Sequence, residues 1–219
     1  LYEICERIGP RWAGTPGDFA AGSYIKKRLE EFGLTNPRSE EFELKAWDYS
    51  RCEGRVVEGD LPITLLPMIH CPPLEVRAPL VDVGFGMPHE LGTVKDKLCG
   101  SVALISVADE PFSQQVPLPE RLRALANAGC VASVAVDSRA GGNIETILGT
   151  DKRWNEKAGD VLPHPLPAVL THREDGNRLR RAHGKTIEIE VESRSFTAPC
   201  YNTMADLPGT SWPDESLVL

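Results

Sequence analysis

The sequence lacks the features that mark several classes of protein. No apolar run approaches the roughly 20 residues that a membrane-spanning helix needs, so we expect no membrane span. The net charge of −8 argues against a nucleic-acid partner, because a phosphate backbone favours a basic face. The chain begins at Leu1 without a leader, and residues 216–219 have the pattern of a strand cut off within a sheet. We therefore expect a fragment of a longer protein.

Metal-ligand spacings and nucleophile motifs are also missing. The six cysteines include no Cys-x-x-Cys pair, and the five histidines form neither His-x-Asp nor His-Glu-x-x-His. His70-Cys71 and His89-Glu90 are neighbouring pairs, and we interpret both as loop or turn residues. No Gly-x-Ser-x-Gly sequence occurs. The sequence therefore predicts no catalytic residue and no metal ligand within these 219 residues.

The cysteines fall into two groups. Three lie within or beside apolar stretches, which predicts small buried side chains: Cys5, Cys99 and Cys130. The others allow a disulfide, either Cys52 with Cys71 or one of these two with Cys200. Both the disulfide and the reduced state remain open, and with them the redox compartment.

Residues 8–34 predict a tight turn that leads into a helix. Thr15 is a candidate cap, Pro16 suits the first helical position, and Gly33 supplies a left-handed end. An apolar face recurs at helical spacing through Ala21, Ile25, Leu29 and Phe32. Before this stretch we predict a short amphipathic helix over residues 1–8, and after it a strand over 40–44. From residue 46 the alternation breaks, which predicts a domain boundary near 46–54.

The middle of the chain alternates strand and helix patterns. Predicted strands lie at 78–87, 101–107, 131–136, 166–170, 186–192 and 201–206, and residues 95–100 are predicted to form a turn. One helix is predicted over 119–128. A second is predicted to begin at Thr171, with Glu174 completing a capping box, and to end at Gly184.

Two resemblances extend this reading. One motif near the start of the chain consists of Gly9-Pro10-Arg11, Gly14-Thr15-Pro16 and Gly33-Leu34. It resembles the start of the zinc aminopeptidase superfamily, which includes glutamate carboxypeptidase and the transferrin receptor. The ordered motifs within 84–91, 96–105, 124–134 and 167–179 resemble the protease-associated domain. Together they imply an α/β fold (mixed α+β). Residues 1–50 open a peptidase domain, 51–195 form an inserted β-rich protease-associated domain with flanking helices, and 196–219 return to the peptidase sheet.

The resemblance also implies a function. It predicts the amino-terminal portion of a zinc-dependent exopeptidase of the aminopeptidase type, in which two zinc ions and a carboxylate base beyond residue 219 act on a peptide substrate. The chain alone is then expected to be inactive. A protease-associated domain that forms a lid or pocket wall makes these residues candidates for substrate contact: Arg139, Asn143, Arg153 and Trp154.

Two other interpretations remain open. One is a non-catalytic protease-associated interaction module, like the transferrin-receptor relatives that keep the fold and lose the metals. The other is an unrelated α/β domain. A homodimer is possible, export is favoured over a cytoplasmic location, and the choice between aminopeptidase and carboxypeptidase action is open.

Overall fold

The computed structural model describes residues 1–145 and 165–209 and divides into two compact units. Unit 1 contains Leu1–Ala46 and the chain from Phe196 onward, and unit 2 contains Trp47–Ser195. The elements are a π-helix Glu3–Ile8, helices α1 Pro16–Glu31, α2 Pro88–Leu98, α3 Leu118–Asn127 and α4 Arg173–Arg180, and strands β1 Thr35–Val56, β2 Leu61–Ile63, β3 Leu66–Pro67, β4 Leu74–Asp82, β5 Val102–Ser106, β6 Ala132–Val136, β7 Ala168–Thr171 and β8 Thr186–Asp206. The predicted mixed α+β class is confirmed.

Unit 1 is built on the turn before α1. Arg11 donates from Nη1 to the carbonyls of Ile4 and Gly9, both at 2.9 Å, and so ties the turn to the π-helix. Gly14 has φ +74°, and a Cβ there would overlap the Cβ of Ala198. Local structure therefore explains the Gly-Pro-Arg-x-x-Gly motif, since the arginine closes the turn and the last glycine allows the turn to approach Ala198 closely.

Helix α1 starts where the sequence predicts, but the Thr15 side chain does not cap it. Thr15 is the N-cap residue and Pro16 follows it. The Thr15 hydroxyl donates to the carbonyl of Trp12 at 2.6 Å instead of capping the helix, and Asp18 accepts from the Gly14 N–H at 2.9 Å. The helix ends before Gly33, which has φ +81°.

Unit 2 contains a mixed sheet sandwiched between helices. The strand order is β2-β1-β8-β4-β5-β6-β7-β3, in which β4, β5, β6 and β7 are parallel neighbours. All five residues of β5 and of β6 are buried, as expected for strands covered on both faces. One face packs against Leu179 of α4, and the other against Leu98 of α2 and Leu122 of α3.

Several predicted element boundaries were wrong. β1 runs unbroken through residue 46, and β8 joins the two strands predicted separately at 186–192 and 201–206. In the predicted turn 95–100, only Cys99 and Gly100 form a turn, and residues 95–98 belong to helix α2, which begins at Pro88 where the Met87 N–H donates to the Glu90 carboxylate. The predicted strand at 216–219 lies outside the described residues.

The cysteines also depart from expectation. Cys130 is buried as predicted, but Cys5 and Cys99 are exposed, since the π-helix buries no side chain and Cys99 follows the end of α2. All six thiols are free. Among the described helices, none is long and apolar enough to cross a membrane.

Candidate functional site

The candidate site is the edge of the unit 2 sheet at which the parallel strands end. Because β4, β5, β6 and β7 run in the same direction, their carboxyl ends lie together. We call the residues that follow these strands, 83–90, 107–117, 137–145 and 171–175, the carboxyl edge. In open sheets of parallel strands, ligands bind outside the carboxyl ends of the strands. This edge is therefore a candidate position for ligand contact in unit 2.

Arg139, a predicted substrate-contact residue, lies in the loop after β6 and is bound to its own strand. Its Nε and Nη2 donate to the two carboxylate oxygens of Asp137 at 3.1 and 2.7 Å. The same carboxylate accepts from the backbone N–H groups of Arg139 and Glu145 at 2.9 and 2.8 Å. Asp137 is buried, whereas the Arg139 side chain is about half exposed. The pair therefore fixes the first turn of the loop and leaves part of the guanidinium open to solvent.

The hydrogen bond from Arg139 to Asp137, with those from the backbone, lowers the pKa of this carboxyl to about 2. The ionised carboxylate thus favours the folded state, and its contribution is present above the unfolded pKa of about 3.9 and is lost as the pH falls toward 2. We expect Asp137→Asn to destabilise unit 2 by about 1.5 to 3 kcal/mol at pH 7, and the difference from the parent chain to shrink between about pH 4 and pH 2.

Urea unfolding at several pH values measures this difference. Asp60→Asn is the matched control, because Asp60 pairs with Arg55 but its side chain is 80% exposed. The control should lose less than about 1 kcal/mol. A pH-independent effect of Asp137→Asn would contradict the role assigned to the ionised carboxylate.

The second half of this loop is held by helix α4. The Glu174 carboxylate accepts from the backbone N–H groups of Gly141 and Gly142 at 2.9 and 3.4 Å. The hydrogen bond from Gly141 is the main cause of the lowered pKa of Glu174. Asn143, the other predicted contact residue in this loop, is exposed and donates from its amide to the carbonyl of Ala140 at 2.9 Å. Within residues 137–145, the chain is therefore held at its start by Asp137 and in its middle by Glu174.

His172 and Asp175 close the start of α4. The predicted cap is corrected here: His172, not Thr171, is the N-cap residue, and its Nδ1 accepts from the Asp175 N–H at 3.2 Å. The Thr171 hydroxyl instead donates to the carbonyl of Thr64 at 2.8 Å, because it ends a buried strand. Asp175 is buried, and its carboxylate accepts from the Thr64 N–H and from Arg178, both at 2.9 Å.

The loop after β5 is organised by Arg121, a buried cation on α3. Its Nη1 donates to the carbonyls of Phe85, Ser106 and Ala108 at 2.9, 3.0 and 3.2 Å. Its Nη2 donates to the carbonyl of Val107 at 3.0 Å. Burial lowers the pKa of Arg121, and nearby carboxylates partly offset this. One guanidinium thus joins the carboxyl ends of β4 and β5.

A possible metal-binding group lies next to this loop. Within the described ranges, His89, Glu90 and Glu110 bring one ligand atom each within 4.8 Å of one another. The Glu90 carboxylate, however, already accepts from the backbone N–H groups of Phe85 and Met87 at 3.0 Å. His89 Nε2 lies 3.0 Å from the Glu110 carboxylate, and the histidine is exposed. The group does not fit a zinc centre, because its carboxylates serve to cap α2 and to pair with His89.

The structure brings two of the four predicted contact residues together. Arg139 and Asn143 share the loop after β6, whereas Arg153 and Trp154 lie outside the described residues. Arg121 and Glu174 organise the carboxyl edge and were not predicted from the sequence to do so. The role of Arg121 could have been inferred from the sequence, since it is a charged residue beside Leu122 on the apolar face of its helix. No sequence pattern marked Glu174 for this role, apart from its place at the predicted start of a helix.

No protein-family model matches the sequence, and no curated protein is significantly similar to it. The fold, however, matches solved structures. The zinc aminopeptidase BSAP from Bacillus subtilis aligns with a TM-score of 0.68 and 19% identity over 96% of this chain and 46% of its own. The aminopeptidase from Aneurinibacillus sp. strain AM-1 aligns with 0.61 and 20% over 96% and 48%, and a peptidase M28 precursor from Shewanella amazonensis SB2B with 0.66 and 16% over 95% and 49%.

These matches define the class of fold. The chain has the fold of zinc aminopeptidases and M28 peptidases, as the resemblance of its sequence predicts. It spans just under half the length of these proteins.

Proposed function

We propose that the chain is part of a zinc-dependent exopeptidase, an aminopeptidase that hydrolyses the terminal peptide bond of a peptide substrate. The observation that carries this proposal is the fold match, which covers 95% or more of this chain in two aminopeptidases and an M28 peptidase. The motif around Gly9-Pro10-Arg11 supports the proposal, since Arg11 and Gly14 build the turn that opens unit 1.

The surface of unit 1 also supports this proposal. Most of the exposed large apolar side chains among the described residues lie in this unit: Leu1, Tyr2, Phe19, Ile25, Phe32, Phe42, Tyr201 and Leu207. Ile25 and Phe32 belong to the face of α1 that its spacing predicts to be apolar. The rings of Phe19 and Tyr201 lie 5.9 Å apart, and exposed apolar groups that lie together mark surfaces that contact other polypeptide segments. A further polypeptide segment that completes the peptidase domain would cover them.

In this proposal the zinc ligands lie outside the described residues. A co-catalytic centre needs histidine and carboxylate ligands that are free to bind metal, and the His89, Glu90 and Glu110 group does not offer them. Two zinc ions would lower the pKa of a bridging water for attack on the peptide bond. The remaining segment would supply the ligands and the general base, so this chain by itself would be inactive.

Within the enzyme, unit 2 would be a protease-associated domain that forms a lid or a wall of the substrate pocket. Its carboxyl edge carries preorganised loops, held by Asp137, Glu174 and Arg121. We assign Arg139 and Asn143 to substrate contact, because both are at least partly exposed in a segment, 137–145, that Asp137 and Glu174 hold in place. Arg153 and Trp154 are further candidates in the same segment.

A second candidate function is a non-catalytic interaction module of the protease-associated type. The held loops of the carboxyl edge suit this function, since Asp137 and Glu174 both engage their carboxylates in fixing loop residues. A module of this kind needs rigid loops but no metal.

The experiment that tests the proposal uses the native polypeptide that contains this chain, isolated from its source. We expect it to release p-nitroaniline from aminoacyl p-nitroanilides, to lose this activity with 1,10-phenanthroline, and to regain it with added zinc. This chain by itself should show no activity. Activity that survives complete removal of metal would contradict the zinc mechanism, and no activity at all with zinc bound or absent would favour the interaction module.

A further inference from the structure

The imidazole ring of His172, at the start of α4, has polar partners that no single protonation state can serve. Its Nδ1 lies 3.2 Å from the backbone nitrogen of Asp175 and also 3.2 Å from Oε2 of Glu174. Its Nε2 lies 3.1 Å from Oδ2 of Asp175. A backbone N–H only donates and an ionised carboxylate only accepts, so Nδ1 must be bare to accept from Asp175 and must carry a proton to donate to Glu174. Nε2 carries a proton in either state, because its partner is a carboxylate.

The surroundings of the ring hold it between these partners. The side chain of His172 is only 16% exposed. The Asp175 carboxylate at Nε2 is fixed in turn by the Thr64 N–H and by Arg178, both at 2.9 Å. The charged groups that face the ring from α4 are therefore the Glu174 and Asp175 carboxylates, with the Arg178 guanidinium on the far side of Asp175.

Glu174 connects the ring to the segment 137–145. Its Oε1 accepts from the Gly141 N–H at 2.9 Å, and its Oε2, the oxygen that faces His172, accepts from the Gly142 N–H at 3.4 Å. The hydrogen bond from Gly141 is the largest cause of the lowered pKa of Glu174, and His172 adds to it. Glu174 is therefore ionised across the range of about pH 5 to 8 in which histidine side chains ordinarily change their charge.

The charged groups of the segment 137–145 pair among themselves. Arg139 donates to the Asp137 carboxylate at 2.7 Å, and its Nη1 lies 3.4 Å from the Glu145 carboxylate. The contact of this segment with Glu174 is made instead by backbone N–H groups. A proton at Nδ1 would therefore act on the segment through Glu174.

Protonation changes which group the ring binds. In the neutral state Nδ1 accepts from the Asp175 N–H and caps α4, and Oε2 of Glu174 faces a lone pair of the ring. In the protonated state Nδ1–H donates to Glu174, and this bond between two charged groups is stronger than the neutral bond that it replaces. The Asp175 N–H then loses its acceptor. The ring thus binds either the start of the helix or the carboxylate that holds Gly141 and Gly142.

We propose that His172 is a pH-sensitive switch, which transfers one hydrogen bond from the start of α4 to Glu174 and so tightens the hold on the segment 137–145 as the pH falls. This segment carries Arg139 and Asn143, so the switch sets how firmly the exposed part of the carboxyl edge is held. The inference does not depend on peptidase activity, because every group in it lies in unit 2.

NMR spectra of the 219-residue chain, recorded from about pH 5.5 to about pH 8, test this switch. The amide signals of Gly141, Gly142 and Asp175 should shift with the same midpoint as the ring signal of His172. Hydrogen-exchange protection of the Gly141 amide, corrected for the intrinsic pH dependence of exchange, should be severalfold higher at the acid end of this range. Glycine amides that do not follow the midpoint of His172 would overturn the switch.

Two variants test the route of the coupling. His172→Gln cannot be protonated, so the shared transition should vanish from all three amides. Glu174→Gln keeps an oxygen that can accept from Gly141 but removes the charge, so the transition should vanish at Gly141 and Gly142 and remain at Asp175. A transition that persists at the two glycines in either variant would contradict the proposal.

His183→Gln is the matched control. His183 is an exposed histidine that follows α4, and its Nδ1 accepts from the Asp82 N–H at 3.0 Å. Its replacement should leave the transition at Gly141 and Gly142 unchanged, because it does not contact Glu174. Loss of the transition in this control, with His172 still present, would assign the pH response to His183 and would overturn the inference.

Discussion

Arg121→Leu is expected to lower the free energy of unfolding of this chain by about 3 kcal/mol or more. The guanidinium is buried and donates to four carbonyls, those of Phe85, Ser106, Val107 and Ala108. Leucine would fill part of the volume but leave these carbonyls without donors, and each buried polar group without a partner costs about 1 to 3 kcal/mol. Urea unfolding followed by circular dichroism measures the loss.

Two controls make this result specific. Arg121→Lys keeps the charge but loses the planar fork that reaches several carbonyls, so it should fall between the parent chain and Arg121→Leu. Arg123→Leu removes an exposed arginine from the same helix and should change stability by less than about 1 kcal/mol. If Arg121→Leu were as stable as the parent chain, the carbonyl contacts would not organise the edge as described.

Gly176→Ala is expected to destabilise the chain by about 1 to 3 kcal/mol, although alanine is the better helix former. Gly176 is buried in α4, and a Cβ at this position would overlap both methyl groups of Val136 on β6. Close-packed interiors tolerate an added methyl group poorly, because neighbouring side chains must leave their preferred rotamers. The loss should appear as a lower urea midpoint with an unchanged slope.

A double-mutant cycle tests the cause of this effect. Val136→Ala removes the two methyl groups that the new Cβ would meet, so Gly176→Ala should cost much less in the Val136→Ala background than in the parent chain. Gly92→Ala is the matched control, since Gly92 lies in α2 with open space around its Cβ position. That control should be stabilised, by up to about 1 kcal/mol. Additive effects at 136 and 176 would contradict the overlap.

The fold was predictable where the pattern of apolar residues was strong. β5 and β6 are apolar apart from one serine each, and both are buried strands as predicted. Helix α1 was predictable from Pro16 at its start and Gly33 at its end. Helix α2 was not predicted, although Leu91, Val94 and Leu98 recur at helical spacing and pack against the core, because the glycines and charged residues around them favoured a turn.

Long strands and tertiary contacts limited the rest. β1 and β8 each continue as strands through a change of composition. Ion pairs between these two strands, which are distant in sequence, help to keep them extended, such as Arg55 with Glu188 and Arg38 with Asp206. The same limit applies to the site. The sequence around Asp137 suggested an exposed loop. The anchoring of this loop by Glu174, however, depends on a helix more than 30 residues away along the chain. The roles of Arg139, Asn143, Arg153 and Trp154 stay predictions.

Native mass spectrometry of the polypeptide purified from its source tests the central claim most directly, because one spectrum gives both its mass and its bound metal. If the chain is part of a zinc exopeptidase, the mass should lie well above the 24.0 kDa of these residues, with two zinc ions per polypeptide that a chelator removes. A polypeptide of 24.0 kDa that carries no zinc would contradict the account and would favour an interaction module.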